Sequence, residues 1–377
     1  MKGSIRQRSK GTWQLRYDAP PDGTGKRRFV SETFKGNKKD AERALRELLA
    51  TIENGGYVAS DKETVAQFMV RWLETYAATN TTVRTLHGYR GYVERYINPT
   101  IGNIQLQSLT ARHIQGLYAD LLDRGLSSST VAQLHRIFKQ ALSHAVRWGT
   151  LTQNSAAATT PPRQQRTTIG MWDIESINQF LDAAHDNRFR DVFQLAVLTG
   201  LRRSELTGLQ WENVDLVTGN LRIVSTLQRI TGYGLVKGRP KTTKSRRSVA
   251  LAPDAINLMH GIRGRQIEQQ LKYGELWLNT GYVFTQENGS PVSPDMISIA
   301  FCALVRKTGL PHLTFHGLRH AHATLALTAG INPKIVSERL GHSTIAVTMD
   351  VYSHVLPGLQ EEAALAVETL LKRPASN

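Results

Sequence analysis

Hydrophobic positions change their period along the chain, and each change marks a different kind of element. Trp13, Leu15 and Tyr17 alternate with Gln14 and Arg16, the period of two expected of a half-buried strand. Pro20-Pro21-Asp22-Gly23 is a turn signal, and Arg28-Phe29-Val30 begins a second extended stretch. Ala41, Ala44, Leu45, Leu48, Leu49 and Ile52 then recur at helical spacing until Asn54-Gly55-Gly56 supplies a stop. Residues 1–56 therefore predict a short sheet backed by one helix.

From about residue 63 to 150 the period is helical. Val65, Phe68, Met69, Trp72 and Tyr76 form one apolar stripe, and Val83, Leu86, Tyr89, Val93 and Tyr96 a second. Leu109-Thr110 opens a third helix carrying Ile114, Leu117, Leu121 and Leu122. Ser127-Ser128-Ser129 caps a fourth, with Val131, Leu134, Phe138, Ala141, Leu142 and Ala145 facing inward and Gly149 at its end. Four short helices without a strand signal predict a compact bundle whose aromatic residues are core. Residues 155–168 lack periodicity and contain Pro161-Pro162, which predicts a linker.

Beyond residue 169 the pattern is mostly helical with one strand-rich insert. Ile174, Ile177, Phe180 and Leu181 mark a first helix; Val192, Phe193, Leu195, Ala196 and Leu198 mark a second. Residues 221–226 and 248–251 read as strands bracketing a Gly- and Lys-rich loop, and Trp172 and Trp211 as core. Helical patterns return around 254–271, 295–307, 316–328, 333–340, 344–354 and 360–371, the last amphipathic. The fold class is mainly α with small β elements, divided into 1–56, 63–154, a linker over 155–168, and 169–377.

Charge then narrows the function. Lys and Arg number 47 against 31 Asp and Glu, a formal net charge of +16. Such a field attracts polyanions, nucleic acid first among them. Residues 1–56 alone carry 13 basic against 7 acidic side chains, which favours a sheet laid on DNA over a merely solubilising face. A single cysteine, Cys302, excludes a disulfide framework and a cysteine-based metal cluster. No apolar run approaches the roughly 20 residues of a membrane span, and the N-terminus lacks a secretion signal. A soluble, intracellular, basic, multi-domain protein is expected.

Four clusters in the last part of the chain can do chemistry. In Thr199-Gly200-Leu201-Arg202, an apolar helix runs into a glycine turn and an arginine follows, placed to offer its planar fork to phosphate oxygens. Residues 239–247 form the most basic loop, where Lys241 or Lys244 is the specific cation. His316 and Arg319 stand three apart, hence on one helix face, with His320 and His322 just beyond. Leu340-Gly341-His342 is followed ten residues later by Tyr352 and then His354. A tyrosine hydroxyl titrates near 10, so a nucleophilic role needs cationic and imidazole neighbours. Taken singly, each cluster reads as packed or solvated helix residues.

Taken together, in order and spacing, Thr-Gly-Leu-Arg202-x-x-Glu-Leu, the Lys241 hairpin, His316-x-Leu-Arg319-His, Leu-Gly-His342 and Tyr352 resemble the tyrosine recombinases, specifically their phage-type integrase branch. The resemblance spans essentially the whole chain. It implies an arm-type DNA-binding domain at 1–56, a helical, SAM-like core-binding domain at 63–154 and a mixed α/β catalytic domain at 169–377. It also implies strand cleavage by Tyr352, giving a 3′-phosphotyrosyl link and a free 5′-hydroxyl. Arg202 and Arg319 would hold the non-bridging oxygens, Lys241 would protonate the leaving oxygen, His316 would act as base or phosphate partner, and His342 as a further donor. Neither metal, ATP nor other cofactor is implied. The implied partners are double-stranded DNA carrying attachment sites, a homotetramer in the synaptic complex with its 360–371 segment exchanged between subunits, and room for DNA-bending accessory factors. The implied setting is the cytoplasm, at the nucleoid, with integration or excision of a mobile element as the outcome.

Two rival readings share parts of this pattern. A non-catalytic DNA-binding regulator derived from a recombinase needs the charge and the fold but not the six residues Arg202, Lys241, His316, Arg319, His342 and Tyr352. A metal-dependent hydrolase is suggested by His316, His320, His322, His342 and His354. The carboxylates nearest in sequence, Glu338 and Asp350, read as surface or capping residues instead, so that no third ligand is evident.

Overall fold

The computed structural model describes residues 3–19, 28–53, 61–164, 170–240, 245–342, 344–349, 365 and 368. The chain divides into two compact units, 1–166 and 167–377.

The first unit opens with an antiparallel sheet in the order β1 (Gly3–Ser9), β2 (Thr12–Ala19), β3 (Arg28–Lys35), followed by α1 (Lys38–Glu53). Alternation along β2 puts Leu15 and Tyr17 into a core with Ala41, Leu45 and Ile52 of α1. The same alternation leaves Arg16 exposed on the other face, level with Ser4 and Ser31. Arg6 lies there too, level with Gln14 and Thr33, and Arg8 Nε donates to Gln14 Oε1 at 2.9 Å.

Helix α2 (65–80) starts at a capping box, with Gln67 N donating to Thr64 Oγ1 and Gln67 Oε1 accepting from Thr64 N. It widens into a π turn over Leu73–Ala77. Helix α3 (83–101) does the same over Val93–Ile97. Each π turn inserts a residue into the helical register and rotates the buried face, so Leu73, Ala77 and Ile97 are buried where a uniform period of 3.6 points to Tyr76 and Tyr96. Val83, placed by that period on the inner face, is 40% exposed. Helices α4 (Ala111–Asp123) and α5 (Ser128–Arg147) complete the bundle, capped by Thr110 and Ser127. Within it Trp72 Nε1 donates to His144 Nδ1 at 2.8 Å, and Tyr118 Oη meets His135 Nδ1 at 2.8 Å.

The expected linker begins later than its sequence suggests. Ser155–Ala158 forms a 3₁₀ turn with Ala156 fully buried. Ser155 Oγ donates to Leu109 O at 2.7 Å, and Thr160 N donates to Gln115 Oε1. Small Ala, Ser and Thr side chains pack closely without any periodic signal, which is why this stretch reads as structureless in sequence. Residues 165–169 lie outside the described residues.

In the second unit Trp172, Phe180 of α6 (Ile174–Ala183), Phe193 of α7 (Arg190–Thr199), Phe301 of α10 (Pro294–Thr308) and Phe315 of α11 (Phe315–Thr328) form an aromatic core. Trp172 also donates its indole N–H to Pro311 O at 2.9 Å. That core fixes α11 against α7. Between α7 and α9 (Pro253–Tyr273) run α8 (Arg203–Thr207), the sheet β4 (Val214–Asp215), β5 (Asn220–Ile223), β8 (Arg247–Ala250), and a separate hairpin of β6 (Thr226–Ile230) and β7 (Gly234–Gly238). The hairpin replaces the first part of the expected loop. Trp211 is half-buried, its indole donating to Gln266 Oε1 at 2.7 Å. Helix α12 (Pro333–Leu340) and a turn at Ala346–Met349 follow. Of the predicted 360–371 helix only Leu365 and Glu368 are described. No described helix is long and apolar enough to cross a membrane.

Candidate active site

Helix α7 ends at Gly200 in the left-handed conformation, φ 65°. A Cβ there would stand 2.5 Å from Leu340 Cδ2 and 2.7 Å from His322 Cδ2, so both the turn and the close packing require glycine. The turn delivers Arg202 to the N-cap position of α8. One helical turn on, the Glu205 carboxylate comes back to accept from Arg202 N at 2.9 Å and from Arg202 Nη1 at 2.7 Å.

Glu205 is only 2% exposed and has a second cation. Arg247, the first residue of β8, grips both its oxygens, Nη1 to Oε1 at 3.1 Å and Nη2 to Oε2 at 3.0 Å. Burial alone would raise the Glu205 carboxyl, but the Arg247 hydrogen bonds and charge, followed by those of Arg202, bring it below the ordinary carboxylate value.

Three arginines converge on the C-terminus of α12. Arg247 Nε donates to Arg339 O at 2.5 Å, Arg319 Nη2 to Leu340 O at 2.6 Å, and Arg202 Nη2 to Gly341 O at 3.0 Å. These successive carbonyls lie where the helix ends, at the negative end of its dipole, so each gains a charged donor. Gly341 is left-handed at φ 65°, and a Cβ on it would lie 2.9 Å from Arg247 Nη1. His342 follows, its Nδ1 2.8 Å from the hydroxyl of buried Thr348.

Arg319 projects from α11 and is 3% exposed; Nη1 donates to Gly200 O at 2.8 Å. Burial and the neighbouring Arg202 lower its guanidinium to about 9, still protonated at neutral pH. His316, one turn earlier and more exposed, sets its ring perpendicular to that of His320, centroids 5.0 Å apart. Burial, then His320, Arg319 and Arg202, lower its imidazole. Burial, then Arg319 and Arg202, lower His342 to about 4. Both rings are therefore neutral at physiological pH, while the guanidiniums are charged.

Arg202 thus bonds the Glu205 carboxylate, whose charge also reaches His316 and Arg319, and His342 lies within reach of the charges of Arg202 and Arg319. Lys241, Lys244, Tyr352 and His354 lie outside the described residues. Glu205 and Arg247 belong to the cluster although the sequence, which places Glu205 in the Arg202-x-x-Glu motif and Arg247 in the basic loop, assigns neither a role. The i, i+3 spacing of Arg202 and Glu205 at a helix start is a signal for the first; Arg247 carries none, because only the fold brings it there. His322, expected merely to pack or face solvent, joins α11 to α7 and α12: its Nδ1 is 2.8 Å from Val197 O, and its Nε2 accepts from Arg339 Nε at 3.3 Å. Tyr273 and Tyr282 have hydroxyls raised above their ordinary value by burial, with Glu287 adding to this at Tyr273. Among the described residues no three His, Cys, Asp or Glu side chains converge as a metal-ligand set.

The phage integrase family profile matches residues 170–358, and that of the phage integrase N-terminal SAM-like domain matches residues 64–122. A XerC-like tyrosine recombinase from Caldanaerobacter subterraneus subsp. tengcongensis is 32% identical, over 91% of this chain and 92% of its own. The Tn1549 transposon integrase, solved with transposon right end DNA, superposes with a TM-score of 0.70 at 22% identity, covering 82% of this chain and 100% of that one. A lambda integrase tetramer bound to a Holliday junction gives a TM-score of 0.56 at 19% identity, covering 90% and 95%. At those identities the two structures speak for the fold.

Proposed function

Because the chain belongs to the phage integrase family of tyrosine recombinases, and is with it a site-specific DNA recombinase, we propose that Tyr352 is its nucleophile and that Arg202, Lys241, His316, Arg319 and His342 activate the phosphate. The observation that supports this reading is the gathering of Arg202 and Arg319 on the Gly200 turn and the C-terminus of α12, with His316 and His342 close enough to both to feel their charge. Arg202, Arg247 and Arg319 stand against the one carboxylate of Glu205 and leave two positive charges uncompensated. A phosphodiester carries one negative charge and its pentacoordinate transition state two, so the surplus favours the transition state over the ground state.

The Tyr352 oxygen attacks phosphorus and its proton passes to His316, which is neutral and able to take it. The bond to the 5′-oxygen breaks, and Lys241 protonates that oxygen, leaving a 3′-phosphotyrosyl link and a free 5′-hydroxyl. The anionic phosphate offsets the cations crowding His316 and raises its imidazole toward the operating range. His342, oriented through Thr348, donates to a phosphate oxygen. A 5′-hydroxyl of the partner strand reverses the steps and completes the exchange. Arg202 and Arg319 supply, as fixed cations, the charge neutralisation that metal ions provide in other phosphoryl transfers.

The domains divide the recognition. Residues 1–56 engage arm-type sites through the β1–β3 face bearing Arg6, Arg8 and Arg16; residues 63–154 and 169–377 engage the core site. The assembly on DNA is a tetramer with its C-terminal segment exchanged between protomers, accommodating DNA-bending factors, in the cytoplasm at the nucleoid.

The test is Tyr352→Phe on a nicked duplex built from the junction between the integrated element and its host chromosome. Binding is retained, and no covalent protein–DNA adduct forms; the unaltered protein forms it fully in excess EDTA. An adduct in the variant would assign the nucleophile to another residue. Adduct formation by the unaltered protein also separates it from a non-catalytic DNA-binding regulator.

A further inference from the structure

The Glu205 carboxylate has two arginine partners, and they divide it unequally. Arg247 spans both oxygens, whereas Arg202 makes one side-chain bond, Nη1 to Oε1. Arg247 is 7% exposed along its side chain and Arg202 32%, so the buried arginine holds the carboxylate and the more open one is the more accessible to an incoming anion. The arrangement has a chemical consequence. A carboxylate and a guanidinium left to themselves form a two-bond fork, because their donor and acceptor spacings match. With both oxygens already engaged, Glu205 steadies Arg202 by its backbone amide and one Nη1 bond, leaving Nε and the Nη hydrogens not given to Glu205 or Gly341 O for another anion. Without Arg247, Arg202 is the one cation still bonded to the buried carboxylate, which draws that guanidinium into the fork, away from the phosphate.

Arg247 makes a second connection. Its Nε donates to Arg339 O at 2.5 Å, one carbonyl before the acceptor of Arg319 and two before that of Arg202. In return the Arg339 Nη1 donates to Ala250 O on the same strand, β8, at 3.0 Å. The two arginines strap α12 to β8, and α12 leads directly into Gly341 and His342. Gly341 can approach Arg247 closely only because it has no Cβ.

We propose that Arg247 is a positioning residue of the cleavage reaction: it keeps Glu205 from closing on Arg202 and holds the Gly341–His342 turn in the same frame. The proposal rests on the recombinase reading and assigns Arg247 no contact with DNA.

The experiment compares Arg247→Ala, Arg247→Lys, Arg202→Ala and the Arg202→Ala/Arg247→Ala double variant on the nicked junction duplex. Single-turnover cleavage and equilibrium binding are measured separately. Misplacing a reacting group by an ångström costs about 100-fold in rate, and Arg247→Ala loses that much in cleavage with duplex affinity held within about twofold of the unaltered protein. Arg247→Lys falls between the two, since an ammonium cannot span both carboxylate oxygens. The double variant is slower than Arg202→Ala by far less than the about 100-fold lost in Arg247→Ala alone, because Arg247 acts mainly through Arg202 and only the remainder through the Gly341–His342 turn. Cleavage by Arg247→Ala at the unaltered rate, a loss confined to affinity, or a double variant slowed by the product of the single effects would overturn the proposal. Should Arg247→Ala fail to fold, Arg247→Lys and its double with Arg202→Ala decide the matter by the same comparison. The Nε–Hε NMR signal of Arg202 gives a readout independent of cleavage: it shifts in Arg247→Lys, and an unchanged signal counts against the proposal. If the unaltered protein forms no adduct, the assignment of Tyr352 fails while this signal still decides on Arg247.

Discussion

Arg319 differs from the other two arginines of the cluster in how its charge is balanced. Its hydrogen bonds go to the carbonyl oxygens of Gly200 and Leu340, and the nearest compensating charge, on Glu205, acts on it only at a distance. In the proposed reaction a phosphate is the partner that relieves this. Arg319→Lys keeps the charge and loses the fork, and single-turnover cleavage falls about 100- to 1000-fold, the effect of removing one preorganised donor from a developing oxyanion. A cleavage rate within tenfold of the unaltered protein, measured on the nicked junction duplex, would show that charge alone suffices. Part of the candidate site is legible in sequence, because Arg202 and His342 follow the turn-forming glycines Gly200 and Gly341, and His316 and Arg319 stand three apart on one helix. Arg247 is not, since its partners Glu205 and Arg339 are 42 and 92 positions away in the chain.

The helical bundle shows at the scale of elements what a regular period conceals. The two π turns move Leu73, Ala77 and Ile97 inward, and no residue in either stretch announces the extra register. One outcome is the buried pair of Trp72 and His144, the indole N–H donating to Nδ1. Burial, with Arg147 adding to it, lowers the His144 imidazole below its ordinary value. Across the stacked rings Tyr76 and Trp148 face it, so no carboxylate among these contacts favours the charged form. The unfolded chain therefore takes up this proton more readily than the folded one. Stability is full above about pH 6.5 and is lost as the pH falls below it. Thermal unfolding followed from about pH 8 to about pH 5 loses fewer degrees in His144→Gln, which keeps an acceptor for the indole without a titratable ring. Equal losses in the two proteins would place the acid sensitivity elsewhere.

For the molecule as a whole the governing quantity is its net charge of +16. Binding to DNA releases counterions, so affinity falls with salt along a log–log slope of about −0.9 per phosphate contacted. If residues 1–56 engage DNA as proposed, the exposed arginines of the N-terminal sheet belong to that sum. Replacing Arg6, Arg8 and Arg16 together by Gln flattens the slope by about one unit for each arginine that reaches a phosphate, measured by fluorescence anisotropy on duplex carrying the arm sites. An unchanged slope would remove this face from the DNA-binding surface. The same replacement leaves cleavage of a core-site duplex unaffected, since none of the three belongs to the catalytic cluster.

The sequence by itself determined the class of the protein: the excess of cations, the change from period two to period 3.6, and the ordered Arg, Lys, His, Arg, His, Tyr motifs are properties of the linear chain. Helix starts at Thr64, Thr110 and Ser127 were equally local, because a cap bonds to an amide two or three residues away. Tertiary structure alone decided which groups share a charge. Glu205 became the common counterion of Arg202 and Arg247, and the last carbonyls of one helix became acceptors for three arginines from three other elements. Electrostatic pairing depends on distance in space, and strands and helices far apart in the chain acquire that distance only when their apolar faces pack.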